Sequence, residues 1–325
     1  PSSHEPAGGC GGAASGRTEV RWAQGAAVLI CVAAATTSAC GVKRAIPVAV
    51  PPRILEAKTA GLDELLDLLR ARSESIASLA ANSLRITFTS GTLESGRLEE
   101  YRRAPGYLLV SRPARLRLNV QNPVTKTTIL DMLSVGDDFA IWYPRENKFF
   151  TGRNSVKEFA SDEDTQADRF TARPAHLLEA LLPQPLPVDD PEMRVALEER
   201  RDSEAKYYVL SLFREKGGRV LEPVRRVWIE RSQLVPAKEE WFTPDGAQAG
   251  TVSCSRFAAV GGVMLPLSIV LERPADGYSI DLEVKEWRLN PDLPAAAFTM
   301  EPPAGARRVV LREKGTGKAG SWKTW

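Results

Sequence analysis

From residue 83 to about 152, and again from 193 to 289, apolar side chains recur at every second position, and this alternation constrains the fold more than any other feature. Leu84, Ile86 and Phe88 alternate with Arg85, Thr87 and Thr89; Leu116, Leu118 and Val120 alternate with Arg115, Arg117 and Asn119. Successive side chains of a strand point to opposite faces, so each segment has one apolar and one polar face. That pattern belongs to an antiparallel sheet wetted on one side, not to a parallel sheet buried on both. Further strands are expected at 96–103, 107–111, 127–133, 139–143 and 148–152. After a break come 193–197, 206–214, 224–230, 236–243, 250–257, 264–272 and 278–289. Ser90-Gly91, Ala104-Pro105-Gly106, Gly136-Asp137-Asp138, Gly217-Gly218, Asp245-Gly246 and Asp276-Gly277 supply turns between them. About a dozen strands joined by short loops form a meander too large to lie flat, so the sheet should curl strongly or close.

Two segments carry the other period. Leu62, Leu65, Leu66, Leu69, Ile76 and Leu79 recur at steps of three and four within 59–80, with charges of both signs between them and Thr59 placed as an N-cap. Membrane-surface helices carry mostly basic polar faces, so this helix should pack on its own domain. Residues 153–191 interrupt the strands with an acidic run, a short helical pattern at 174–182 and the stop Pro183-Gln-Pro-Leu-Pro187. A structured insertion of that length is expected to act as a lid across one sheet face. The basic, Gly-containing stretch 306–325 reads as a flexible tail.

The N-terminal part is read apart from the fold. Residues 1–16 are rich in Gly, Ala and Ser and are taken as an upstream extension. Arg17 and Arg21 precede an apolar run at 26–40 that ends Ser38-Ala39-Cys40, the basic–apolar–small order of a secretory signal. The run is shorter than the ~20 apolar residues of a membrane-spanning helix. Its end resembles the lipobox of bacterial lipoproteins, which makes Cys40 the expected acylated first residue of the mature chain. Residues 1–40 are thus extension and signal, the proline-rich 41–58 a tether, and 59–305 the folded domain.

Composition removes several function classes. Lys+Arg 43 against Asp+Glu 41 leaves a net charge of +2, and no field that favours nucleic acid. Of the cysteines, Cys10 and Cys31 go with the signal and Cys40 with the lipid, so Cys254 should be an unpaired, buried, poorly reactive thiol. The two histidines are His4 and His176, too few for a Cys/His metal site, so neither metal nor cofactor is expected. His176 has no Gly-x-Ser-x-Gly partner motif and reads as a solvent-facing or packing residue of the short helix. The pairs Asp137/Asp138 and Asp162/Asp164 are the remaining candidates for hydrolytic chemistry. Both lie in polar, turn-like sequence where solvated charges are the ordinary explanation, and no enzyme is expected.

Gly106–Leu118, Ile129–Pro144, Val227–Pro236, Val260–Pro266, Trp287–Asn290 and Phe298 together resemble, in order and spacing, the LolA/LolB-like superfamily of lipoprotein carriers and receptors. The resemblance spans roughly 62–304. It implies a strongly curved, half-open antiparallel β-barrel, mainly β with an N-terminal helix and a helical lid, whose apolar concave face accepts acyl chains. It also implies that Arg112, before Pro113, controls the lid; Leu116 departs from the family by replacing an aromatic residue.

The residues themselves point the same way. Leu84, Ile86, Phe88, Leu116, Leu118 and Val120 should share the inner face and line a ligand cavity, unless the helices fill it. The leading expectation is a lipid-anchored envelope protein on the periplasmic side of the outer membrane. It would bind acyl chains of lipoproteins or other lipids, with a periplasmic carrier as partner. The alternative is an envelope sensor or structural lipoprotein that binds a protein through the same fold.

Overall fold

The computed structural model describes residues 56–91, 99–156, 158–159, 172–203 and 205–314, all within one compact unit, Pro51–Trp325. Cys40, the signal, most of the tether and the pair Asp162/Asp164 lie outside them. In chain order the elements are α1 (Leu62–Ser75), β1 (Ser78–Ser90), β2 (Glu99–Ser111), β3 (Arg115–Gln121), β4 (Thr128–Val135), β5 (Asp138–Tyr143) and β6 (Lys148–Arg153). Then come α2 (Pro174–Leu181), β7 (Met193–Arg201), β8 (Lys206–Lys216), β9 (Val220–Glu230), β10 (Val235–Phe242), β11 (Gln248–Val260), β12 (Val263–Arg273), β13 (Tyr278–Val284), β14 (Arg288–Leu289) and β15 (Arg307–Val310).

The protein is mainly β. Among the described residues all fifteen strands belong to one sheet, in the order β15-β6-β5-β4-β3-β2-β1-β13-β12-β11-β10-β9-β8-β7, with β14 beside β1. Strands β1 to β6 and β7 to β13 each pair antiparallel with their neighbours in sequence, as two meanders require. Three non-sequential pairings organise it: β1 joins β13 antiparallel, from Leu84 opposite Val284 to Ser90 opposite Tyr278, and β14 antiparallel at Leu79 and Ala80, and β15 runs parallel to β6. The sheet is open. β15 and β7 are its edges and no ladder joins them, so the closed form of the expected curl is not made.

Several expected boundaries move, each for a physical reason. The helix expected over 59–80 occupies Leu62–Ser75, with Gly61 rather than Thr59 at its N-cap. Ile76 and Leu79 continue its spacing, but Ser78–Ala80 are claimed by sheet pairing with Ser111, Val110 and Leu109. Ala104-Pro105-Gly106 is not a turn. β2 runs straight through it, Pro105 lies opposite Arg85, and the strand absorbs its irregularity in a residue of positive φ, Arg103. Gly106 is needed there for close approach, because a Cβ would stand 2.2 Å from the Asn119 carbonyl oxygen of β3. The expected hairpin dipeptides do turn the chain, with positive φ at Gly217, Gly218, Gly246 and Gly277. The stretch read as a tail begins instead with β15 at Arg307–Val310.

Two apolar clusters are covered by the two helices. In one, Leu65 and Leu69 of α1 pack with Met193, Tyr208, Leu210, Leu212, Val227 and Ile229. The other gathers inward residues of β1–β5 and β11–β13 with Leu177, Leu181 and Leu182 of α2 and its end. On the opposite face of β3 and β4, the chain after β14 passes as a strap. Arg117 donates to the carbonyls of Ala297 (3.2 Å) and Thr299 (2.8 Å), and Arg115 lies 4.9 Å over the Phe298 ring. Arg117 also pairs with Asp131 at 2.7 Å. Expected to be a plain solvent-face residue, it is a fastening point between sheet and strap.

Candidate functional site

The insertion supplies α2, and its sequence explains both ends. Pro174 opens the helix where its missing N–H costs nothing, and the prolines from Pro183 onward stop it. Pro174, Leu177 and Leu181 form its buried face, which rests on β3 and β4. An eight-residue helix is marginal alone, so its position depends on what holds it.

The N-terminal end is held by a polar cluster. His176 Nδ1 lies 2.5 Å from the Tyr278 hydroxyl of β13, and Arg273 of β12 donates to His176 Nε2 at 2.7 Å. Asp276 accepts from Arg273 Nε at 3.1 Å and orients it. Burial, reinforced by Arg273 and Arg173, pushes the imidazole down to about 3. His176 is therefore neutral near pH 7; with Nε2 accepting, its proton sits on Nδ1 and is donated to Tyr278. Burial also raises the Tyr278 phenol. Arg173, the N-cap of α2, stacks 4.8 Å over Phe159 and donates to the Val156 carbonyl. His176 thus does more than pack: it latches α2 to the sheet.

The C-terminal end is tied by Arg112. Its Nε donates to the Ile76 carbonyl at 2.9 Å. Its Nη2 reaches the Ser73 carbonyl (3.1 Å), Ser73 Oγ (2.9 Å) and the Pro183 carbonyl (2.6 Å). Ser73 Oγ itself donates to the Pro183 carbonyl at 2.9 Å. One guanidinium thereby joins the end of α1 to the end of α2, using the carbonyls that helix termini leave unpaired.

Beside this joint lies a pocket of about 40 Å³, walled by residues of α1, α2 and β10–β12, with Ile76, Leu79 and Trp287 among its apolar lining. A water needs roughly 10–15 Å³ by this measure, so the space holds a few waters or one small chemical group. Arg72 reaches into it, its Nη1 donating to the Met264 carbonyl at 2.5 Å. Its Nε is buried with no hydrogen-bond partner, and burial pulls the guanidinium down from its ordinary value, against the pull of Cys254 and Glu239. Cys254 is a free, half-buried thiol on the same wall, and burial, with Glu239 beside it, pushes it up to about 12.

The residues expected to line a cavity are placed differently. Leu84, Ile86, Phe88, Leu116, Leu118 and Val120 are all buried and share one cluster with Leu177 and Leu181. None of the six lines the pocket. They belong to the same core cluster as the buried face of α2, with Leu116, Leu118 and Val120 in β3, which α2 touches. The pocket residues were missed because they come from four distant segments, and Arg72 reads in sequence as one more charge on an amphipathic helix. Asp137 accepts from Arg153 (2.6 Å) and from the Ser155 amide (2.7 Å), a turn-building role. Among the described residues no three His, Cys, Asp or Glu are grouped to hold a metal, and no helix is long and apolar enough to cross a membrane.

No protein-family model matches the sequence. No curated protein matches it either. Solved structures can be aligned with it. A DUF1329 family protein from Desulfovibrio piger shares 15% identity at TM-score 0.48, covering 74% of this chain and 98% of its own. A LolA superfamily protein from Nitrosomonas europaea shares 16% at TM-score 0.43, covering 72% and 97%. A domain assigned to outer membrane lipoprotein sorting, from Vibrio parahaemolyticus, shares 13% at TM-score 0.43, covering 72% and 94%.

Proposed function

We propose that this chain is a lid-gated, non-enzymatic binding protein of the bacterial cell envelope that takes an acyl chain between α2 and the apolar bed beneath it, in lipoprotein or lipid trafficking. The observation that carries the reading is the manner in which α2 is held. Its buried face is aliphatic, while both its ends are fastened by hydrogen bonds, at His176 and at Pro183. Polar fastenings around an apolar contact release as a unit, and release uncovers the bed of Leu84, Ile86, Phe88, Leu116, Leu118 and Val120. Each methylene buried there would contribute ~0.8 kcal/mol, enough for reversible exchange with a bilayer.

The half-open barrel belongs to the same proposal. α2 touches β3 and β4 and also bonds to β12 and β13. In a flat sheet β4 and β12 would stand ~24 Å apart at ~4.8 Å per strand, twice the ~12 Å length of an eight-residue helix. A sheet curved around α2 removes that gap. A lipid on Cys40, and the tether after it, would stand the domain off the periplasmic face of the outer membrane.

The second reading, an envelope sensor that binds a protein, draws support from the small pocket: with α2 seated, about 40 Å³ is too little for an acyl chain. Uptake of a fluorescent fatty-acyl probe separates the two. The carrier reading expects uptake that Leu118→Glu abolishes and Arg85→Gln, on the exposed face, leaves unchanged. A wild-type protein that takes up no probe would transfer the reading to the sensor.

A further inference from the structure

We propose that the pocket between α1, α2 and β10–β12 is an end-group site for a carboxylate-terminated alkyl chain, with the Arg72 guanidinium as its counter-charge. For the chain it rests on the acyl-binding reading; the end group is new. Arginine is seldom taken out of water without an acceptor for its donors. Arg72, in the last turn of α1, has one bond, to the Met264 carbonyl, and a buried Nε with none.

Two of the other three charges on the wall are already committed. Glu239 accepts from Arg225 Nε at 3.0 Å, and Lys238 pairs with Glu240 at 2.8 Å. Glu179 stands exposed at the rim. Arg72 lines the pocket with an unpaired Nε–H that is covered while α2 is seated, beside Ile76, Leu79, Leu265, Ile269 and Trp287. The Nε edge of a guanidinium fits a carboxylate in a two-bond fork. About 40 Å³ admits such an end group and little more, and with Glu179 and Glu239 on the same wall the site is a poor one for a polyanion. The chain behind the carboxylate leaves past Leu181, beneath the lid.

The test compares displacement of the acyl probe by dodecanoate, by methyl dodecanoate and by dodecanol. Wild-type protein is expected to prefer the acid at least tenfold over both. Arg72→Met should erase that preference while keeping dodecanol binding, and Arg72→Lys should keep part of it, with melting curves certifying all three proteins as folded. Equal displacement by acid, ester and alcohol in wild type overturns the end-group site and leaves the acyl-binding reading standing. If no long chain displaces or binds, the acyl reading falls, and butanoate, which needs no lid opening, decides the site alone. Slower thiol labelling of Cys254 with butanoate in wild type but not in Arg72→Met supports it; no protection overturns it.

Discussion

Leu65 of α1 is completely buried and Leu69 nearly so, in a cluster that includes Tyr208, Leu210, Leu212, Val227 and Ile229. Tyr208 also accepts from the Ala60 amide at 3.0 Å, pinning the approach to the helix. α2 buries Leu177 and Leu181 just as well, yet its orientation is set by side chains at its two ends. The helices therefore differ in how they let go. α1 leaves only if its whole apolar face is pulled from the sheet, whereas α2 is a short piece whose release needs a few hydrogen bonds broken first. On the proposed function the first is scaffold and the second a gate. The pocket sits where the two meet.

The comparison breaks most directly under truncation of matched leucines. Leu65→Ala should cost about 2–5 kcal/mol, the range for a buried leucine whose cavity does not collapse, and appear as a lower global melting temperature. Leu177→Ala removes the same atoms but should lower melting much less, while amides of 174–182 exchange with solvent far faster. Equal losses of melting temperature in the two variants, with no local exchange, would make α2 ordinary core.

The joint at Arg112 sharpens the same contrast. Arg112→Ala removes the bonds to Ser73, Ile76 and Pro183 and should destabilise the seated position of α2 by about 1.5–3 kcal/mol, the range for hydrogen bonds to a charged group. Faster probe entry and exchange at α2 are the readouts, with α1 amides much less affected. Arg112→Lys should rescue little, because an ammonium lacks the planar fork that reaches acceptors on three residues.

The strands and both helices are legible from period and turn residues because those signals are local. Leu84, Ile86, Phe88, Leu116, Leu118 and Val120 are buried as their alternation demands, although Asn119 of the opposite face is buried too. Local signals fail where distant chain competes. Ser78–Ala80 continue a helical spacing but are taken into β1 by β2 and β14. Arg307–Val310 look like tail until β6 offers an edge. The pocket is the least legible part, since Arg72, Leu181, Cys254 and Trp287 meet only after the sheet has formed. Arg112 was reached by resemblance, and only the structure shows which carbonyls it holds.

A smaller effect separates the two ends of α2 by pH. His176 titrates at about 3 when seated and at 6.5 when free. Its folded value is the lower one, so the seated state is fully favoured above pH 6.5 and loses ground as pH falls from there toward 3. The loss is at most about 1.4 kcal/mol per pH unit. Probe entry should therefore accelerate between pH 6 and pH 4 and be flat above 7. His176→Gln should flatten the acid limb. An unchanged limb in that variant would assign the acid response to other groups.

The smallest effect concerns Cys254, which carries little of the stability but stands on the pocket wall between the two helices. With its thiol pushed up to about 12, little thiolate exists at pH 8, and labelling should be slow for chemical as well as steric reasons. Cys254→Ala should move melting by no more than about 1 kcal/mol, as expected for losing one partly buried sulfur. The rate is the informative quantity. Release of α2 lets water and reagent reach the wall and lowers the desolvation that raised the thiol, so Arg112→Ala should speed labelling severalfold. Leu65→Ala, at temperatures where the fold is intact, should change it less, because α1 opens only with the domain. If both variants accelerate labelling equally, the two helices move as one body and the distinction between scaffold and gate is lost. Rapid labelling of the wild-type protein itself would mean that the wall is already open with α2 seated.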